Sequence, residues 1–325
     1  MGMRHKTNRH YLGVDFGGTN FKFGVVDSEF NLKESEIMPL GKLKDPKAAV
    51  LFIKKLVSDL SKKYRLKSLG FGFPGPVDFE NGYIHYLVNL KNWKNIYWKN
   101  ILERELKIPV FLDNDVNAAA LTEYYLGNGR GCLDMMMVAL GTGVGGGLIL
   151  SGKIYRGKNN VTAEIGHVPL SMKGAKCNCG GIGCLESYIG NKKLLSHANR
   201  TLYKHPESVL TAVRKKEGNI SLEDITHAAR RGDQFAVNFW EDTAEKLGQA
   251  LVGVVNLLNV EKIVIGGGIA GAGRFLFEPL RKFVRVRAMD IQGKDVKIVK
   301  AKFQDKAGII GAAIIAKYAL ERRSF

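Results

Sequence analysis

The sequence predicts an α/β protein of two related lobes that share a cleft. Three observations carry that expectation. Short apolar strands alternate with amphipathic helical segments along most of the 325 residues. Residues 11–27 and 135–150 repeat one pattern, an apolar strand, a turn containing Gly-Thr and a second apolar strand, which points to an internal duplication. The length itself favours two domains.

The first element, YLGVDFGGTNFKFGVVD, reads as a β-hairpin: an apolar strand ending in Asp15, a Gly17-Gly18-Thr19 turn, and a strand alternating through Phe21, Phe23 and Val25. A strand follows the turn where a nucleotide loop of the Walker or dinucleotide type would open a helix, so neither of those motifs applies. Glycines there let backbone N–H groups and the Thr19 hydroxyl reach a phosphate, and Asp15 is placed to hold Mg²⁺ through water. A plain hairpin with Asp15 as turn former explains the same residues. A helix is expected from Asp45 to Tyr64, with Asp45 as N-cap, Pro46 at the first position and apolar residues at 49, 50, 53, 56, 57 and 60. A buried strand, Leu69 to Phe73, then runs into Pro74-Gly75-Pro76-Val77-Asp78, an Asn81-Gly82 turn and NLKNW at 89–93.

The strand Val110-Phe111-Leu112 ends in Asp113-Asn114-Asp115, and a helix begins through Asn117. Carboxylates at a strand end where a helix starts lie where α/β folds bind ligands, although one of the three must serve as the helix cap. The second hairpin takes Met135–Leu140 as its first strand, Gly141 to Gly147 as its turn and Leu148–Leu150 as its second strand. Helices are expected near 191–204, 206–216, 221–231 and 233–258. The strand Lys262–Ile265 enters Gly266-Gly267-Gly268-Ile269-Ala270-Gly271, which satisfies G-x-G-x-x-G. A dinucleotide site is a weak reading of it, because the ribose-binding acid would have to be Asp290, which does not end a strand. A strand at 296–300 and a helix at 307–321 close the chain.

The densest chemistry lies in EIGHVPLSMKGAKCNCGGIGCLE, Glu164 to Glu186. His167, Cys177, Cys179 and Cys184 form a set of one imidazole and three thiolates, the donor set of a closed tetrahedral zinc site. Ordinary buried cysteines are the alternative, but three within eight positions of a polar, glycine-rich loop argue against it. A disulfide framework fits worse, since a chain this long can bury a full core. Cys132, before an apolar strand, reads as packed.

Bulk composition narrows the function classes. Hydrophobic residues make up 45%, ordinary for a globular protein, and no uninterrupted apolar run approaches a membrane span. The basic N-terminus lacks the apolar region of a signal peptide, and Lys6 stands where a myristoylation motif wants Ser or Thr, so a cytoplasmic protein is expected. The 49 basic and 31 acidic residues give a net +18, but the lysines are dispersed without a block of like charge. A solvated basic surface is the simplest account, and no nucleic-acid partner is expected.

Together, E-x-G-H followed by C-x-C-G-x-x-G-C-x-E resembles the signature of the ROK family of bacterial sugar kinases and sugar-responsive repressors. The duplicated hairpins are similar to those of the actin, sugar kinase and Hsp70 superfamily, and the resemblance covers residues 11–320 with five motifs in order. It implies a two-lobed actin-like (ribonuclease H-like) ATPase fold, with a small lobe of residues 1–116 completed by a C-terminal helix at 305–325. The large lobe would be 117–304, carrying the zinc loop 167–184. It implies transfer of the ATP γ-phosphoryl group to a hexose, first the 6-hydroxyl of glucose, with Asp115 as catalytic base. Gly75, Asn114, Asp115, Glu164, His167 and Glu186 would form the sugar site. Asp15, Gly17, Gly18, Thr19, Asn20, Lys22, Gly141, Thr142, Gly143, Gly267 and Gly268 would form the nucleotide and Mg²⁺ site. His167, Cys177, Cys179 and Cys184 would hold a structural Zn²⁺. N-acetylmannosamine, N-acetylglucosamine, fructose or allose as acceptor, and polyphosphate as donor, are the alternatives. A repressor would need a DNA-binding module ahead of Tyr11, for which no room is expected. A homodimer or homotetramer is expected.

Overall fold

The computed structural model describes residues 9–88, 90–322 and 325. Asn89, the first residue of the NLKNW stretch, lies outside them. The chain divides into two compact units. The first comprises the residues through Arg130 with Gly147–Thr162 and Asp305–Phe325, and the second comprises Gly131–Gly146 and Ala163–Gln304.

The first unit opens on the expected hairpin, β1 (His10–Phe16) and β2 (Asn20–Asp27), antiparallel with Asp15 opposite Lys22. β3 (Leu32–Pro39) extends it. In α1 (Pro46–Ser61) the Asp45 carboxylate accepts the Ala48 N–H at 2.9 Å, the cap that the sequence calls for. Its buried face is Ala49, Ile53, Val57 and Leu60. β4 (Leu66–Phe73) joins β1 in parallel. A separate small sheet follows, β5 (Val77–Asp78), β6 (Tyr83–Leu87) and β7 (Leu90–Ile96), then α2 (Trp98–Leu106). β8 (Val110–Asn114) completes a five-stranded sheet of order β3-β2-β1-β4-β8, and α3 (Asp115–Leu126) leaves its end. Trp93 of the NLKNW stretch is fully buried, 4.6 Å from Phe16 and 4.7 Å from Trp98 between ring centroids, so it belongs to the core of this unit.

The second five-stranded sheet has the order β11-β10-β9-β12-β13. Its first three strands in sequence are β9 (Met135–Leu140), β10 (Val144–Leu150) and β11 (Lys153–Tyr155). Between them and the rest of the sheet come α4 (Glu186–Ile189), α5 (Asn191–Thr201), α6 (Val209–Glu217), α7 (Leu222–Arg230) and the long α8 (Gln234–Leu258). β12 (Lys262–Gly266), α9 (Arg274–Arg287), α10 (Asp290–Asp295) and β13 (Lys297–Lys300) complete the second unit, and β12 runs parallel to both β9 and β13.

Two expectations need correction. The turn of the second hairpin is shorter than Gly141 to Gly147, because Val144 to Gly147 are already strand. Those glycines serve close backbone approach instead: a Cβ at Gly146 would lie 2.1 Å from the Ala163 carbonyl oxygen. The division between the units falls within β10, so a boundary at 116/117 does not describe it. The physical reason is α11 (Ala307–Leu320), which packs on β1, β4, β8 and α3 and holds α3 in the first unit. Its residues 307–316 are all buried, the pattern of a core helix, and each of Ile309, Ile310, Ile314 and Ile315 contributes about 1.5–3 kcal/mol on burial. Contact is made through glycine, since a Cβ at Gly311 would come within 1.7 Å of the Ala118 carbonyl oxygen.

Candidate functional site

In the first unit, parallel pairing sets the candidate residues along one sheet edge. Asp15 of β1 is level with Gly72 of β4, Gly72 with Asp113 of β8, and Phe73 with Asn114. The Gly18, Thr19 and Asn20 side of the first turn is exposed, and nothing surrounds the position of a Cβ at Gly18. Asp15 faces Lys22 Nζ at 3.3 Å, and Lys22 also lies 3.8 Å from Asp305. Burial raises the Asp15 pKa, opposed by Lys22. Gly308, at the start of α11, makes room for this carboxylate, whose Cγ would be 2.7 Å from a Cβ there. A half-buried carboxylate at a strand end, sharing its lysine partner with Asp305, fits a divalent-cation site with oxygen ligands.

The three residues of the Asp113-Asn114-Asp115 turn have separate jobs. Asn114 is the cap: its Oδ1 accepts the Val116 N–H at 2.8 Å and the Asn117 N–H at 3.3 Å. Its Nδ2 is 3.5 Å from the Gly75 carbonyl oxygen, so the loop after β4 meets the turn after β8. Asp113 is only 2% exposed and is held by Arg156, Asn117 and the Asn114 N–H. Asp115 is the first residue of α3, its Oδ1 accepting the Val116 N–H at 2.9 Å. Nothing in the sequence singled out Arg156, because it belongs to no motif.

In the second unit the four candidate metal ligands converge. One ligand atom from each of His167, Cys177, Cys179 and Cys184 lies within 4.8 Å of the others. Cys177 Sγ is 3.7 Å from His167 Nδ1, and Cys179 Sγ is 3.7 Å from Cys184 Sγ. Zinc bonded to sulfur at about 2.3 Å and to nitrogen at about 2.0 Å would give tetrahedral S···S and S···N edges of about 3.8 and 3.5 Å. The observed separations therefore fit that geometry, and the Cys179–Cys184 distance lies far beyond the disulfide length of about 2.05 Å. The loop is folded by bridges from Pro169 to Cys184 and from Lys176 to Ile182. Gly183 is required at its turn, with φ of 72° and a would-be Cβ 2.0 Å from the Ser171 carbonyl oxygen. Crowding divides the thiols. Burial raises the Cys177 pKa, but hydrogen bonds involving Cys179, Ser187 and His167 outweigh it and hold this thiol down at about 7. Burial beside the other two thiols pushes Cys184 up to about 11.

With Nδ1 turned to the thiols, His167 Nε2 lies 3.8 Å from Glu164 Oε2. Burial raises the Glu164 pKa, with Glu186 adding to the effect and His167 opposing it. Glu186 has a structural task as well: its Oε2 accepts the Val144 N–H at 2.9 Å, which fastens the start of α4 to the turn of the second hairpin. The Asn191 N–H donates to the Gly141 carbonyl at 3.0 Å, a second tie to the same turn. Register pairs Gly266 of β12 with Ala139 of β9, so Gly141, Thr142 and Gly143 follow the end of one strand and Gly267 and Gly268 follow the end of its neighbour. Gly267, at φ 87°, would bring a Cβ within 2.2 Å of the Leu140 carbonyl oxygen. The candidate metal ligands thus lie together in the second unit, whereas the residues expected for the sugar and for the nucleotide are divided between the two units.

The ROK family profile matches residues 11–319. A glucokinase of Halalkalibacterium halodurans is 35% identical over 317 residues, covering 96% of each chain. A xylose repressor of Caldicellulosiruptor bescii is 29% identical over 307 residues, 92% of this chain but 75% of the repressor. Among solved structures, the ROK family glucokinase of Streptomyces griseus in complex with glucose and AMPPNP superposes with a TM-score of 0.82 at 31% identity, covering 95% of this chain and 99% of that one.

Proposed function

The chain belongs to the ROK family and is an ATP-dependent hexose kinase of the two-lobed actin-like fold, and from that premise we propose that its acceptor is glucose, phosphorylated at the 6-hydroxyl with Asp115 as base. Support for the base comes from one observation above all: Asp115 stands at the end of β8 on the first turn of α3, next to an Asn114 whose amide reaches the Gly75 loop. A carboxylate so placed can accept the hydroxyl proton as the O–P bond forms, while the rest of catalysis is positioning and charge neutralisation. Asn114, Gly75, Glu164, His167 and Glu186 are proposed to bond the sugar hydroxyls. The two Gly-Thr turns, with Asn20, Lys22, Gly267 and Gly268, are proposed to hold the nucleotide.

Mg²⁺ bound with ATP would neutralise phosphate charge, and Asp15 is the carboxylate proposed to hold it. Zinc is proposed for the His167, Cys177, Cys179 and Cys184 set, where four protein ligands fill a tetrahedron and leave its part structural. His167 would be oriented by that bond so that Nε2 can face a sugar hydroxyl.

Kinase over regulator is favoured by the higher identity to a glucokinase, 35%, than to the repressor, 29%. No helix among the described residues is long and apolar enough to cross a membrane. A cytoplasmic location, suited to free thiolates, and a homodimer or homotetramer without nucleic-acid partners remain part of the proposal. The deciding experiment is a coupled assay of glucose, fructose, allose, N-acetylmannosamine and N-acetylglucosamine, each with ATP and with polyphosphate. Glucose with ATP should give the highest kcat/KM. A higher value for another acceptor, or for polyphosphate, overturns the assignment of that substrate.

A further inference from the structure

Asp113 is a buried carboxylate adjoining the proposed catalytic turn, and both of its oxygens are engaged within the protein. Oδ1 accepts the Asn114 N–H and the Asn117 Nδ2, each at 2.8 Å. Oδ2 accepts from Arg156 Nε at 2.8 Å, with one terminal guanidinium nitrogen also 2.8 Å away. A carboxylate bound in this way is unsuited to accept a substrate proton. Its strongest partner lies more than forty residues along the chain, just past β11, in a segment with no motif of its own.

Arg156 is itself fixed. Its guanidinium carbon lies 3.9 Å from the centroid of the Phe79 ring and 5.0 Å from that of Phe325, and its side chain is 15% exposed. Phe79 belongs to the loop that follows Gly75 and Asp78. Asn160, four residues past Arg156, places Nδ2 3.5 Å from Asp78 Oδ1. One short segment therefore grips both the loop carrying Gly75 and the turn carrying Asn114 and Asp115. One hydrogen bond from Nε, a terminal nitrogen close to the same carboxylate oxygen and a planar face against two rings fix the guanidinium in a way that a lysine ammonium does not reproduce.

We propose that Arg156 is a positioning residue for phosphoryl transfer: through Asp113 it fixes the backbone of Asn114 and hence the direction of Asp115, and through Phe79 it seats the adjoining sugar loop. The proposal rests on the reading of Asp115 as base. Displacement of a catalytic group by about 1 Å costs on the order of a hundredfold in rate. Loss of Arg156 should therefore lower kcat by about 10–100-fold and raise KM for the sugar, with KM for ATP within about twofold of the parent value.

The test compares Arg156→Met and Arg156→Lys with Asp115→Asn and with the double variant Arg156→Met/Asp115→Asn. Kinetics are measured at least 10 °C below each melting point, roughly the margin that keeps unfolded protein negligible. Arg156→Met should show the split between kcat and the two KM values, and Arg156→Lys should recover only part of kcat. In the double variant kcat should be no lower than in Asp115→Asn, because misdirecting an absent base has no further effect. Should Arg156→Met not fold, Arg156→Lys is judged by the same split and placed in the Asp115→Asn background. Parental kcat and sugar KM in a folded Arg156 variant, or multiplicative losses in the double, overturn the positioning role. Normal turnover by Asp115→Asn alone overturns the base assignment instead, so the two failures are separable.

Discussion

Replacing Glu186 tests whether the thiol loop and the second glycine turn work as one piece. The Glu186 carboxylate accepts the Val144 N–H at 2.9 Å, immediately after Gly141-Thr142-Gly143 and two residues after Cys184. A hydrogen bond to a charged group is worth about 1.5–3 kcal/mol. If the turn binds nucleotide only when held, Glu186→Ala should raise KM for ATP by about 10–150-fold, since about 1.4 kcal/mol is a factor of ten. Glu186→Gln keeps an acceptor oxygen but loses the charge, so roughly half of that energy, or about a threefold to twelvefold rise, is expected. Both variants should also raise KM for glucose, because Glu186 is proposed as a sugar ligand. The assay follows ADP release while ATP is titrated at saturating glucose, and then glucose at saturating ATP. A folded Glu186→Ala enzyme with a raised glucose KM and an ATP KM within about twofold of the parent would refute the coupling.

Four other outcomes are expected. Asp115→Asn should lower kcat by at least about a hundredfold while the melting temperature stays close to that of the parent, because the amide can still accept the Val116 N–H; circular dichroism and steady-state kinetics together check it. The protein should carry one zinc per chain by elemental analysis, lost together with activity in Cys177→Ser or Cys179→Ser; absence of stoichiometric zinc from protein purified without chelator would count against the site. Gly311→Ala should cost at least about 1–3 kcal/mol in denaturant unfolding, since the new methyl would lie 1.7 Å from the Ala118 carbonyl oxygen. Asp15→Asn should raise the melting temperature at pH 7. The raised Asp15 pKa means that protonation favours the folded state, so the ionised carboxylate costs stability once pH rises through the folded pKa; the advantage of Asn should shrink as pH falls toward the ordinary value of 3.8, and a pH-independent difference would refute this.

Local chemistry made much of the fold legible. Asp45-Pro46 marked a helix start because a carboxylate acceptor and a residue without N–H are what an N-terminus needs, and the cap is present. That His167, Cys177, Cys179 and Cys184 come together was legible because their donor types and short spacing leave few other uses. The glycine string from Gly143 to Gly147 misled for an equally physical reason. Glycine signals either a positive φ or a close approach, and Gly146 is needed for the second, facing the Ala163 carbonyl inside a strand. Gly311 is of the same kind: no sequence pattern announces that a helix must lie against another backbone at that point. The β5-β6-β7 sheet escaped because β5 is two residues long and Asn81-Gly82 read as an isolated turn.

The Asp113-Asn114-Asp115 turn shows where sequence reasoning stops. From the sequence, three polar residues at a strand end justify a cap and a place where ligands bind, and the resemblance alone names Asp115 as a base. Tertiary structure supplies the cap and the partners of Asp113. Asn114 takes the cap, with Oδ1 on two helix N–H groups and Nδ2 toward Gly75. Asp113 is consumed by a guanidinium that reaches it from beyond β11. Burying an unpaired carboxylate is costly, so an Asp113 facing inward demands a cationic or strongly donating partner somewhere in the fold. That demand can be deduced once the strand alternation is known, because Asp113 follows Leu112, which is itself fully buried, on a strand covered on both faces. The identity of the partner cannot be deduced, since it depends on a long-range meeting of two segments that share no motif. Residues carried by a motif are therefore the readable part of such a turn, and the distant partners that hold them are the part that only the fold reveals.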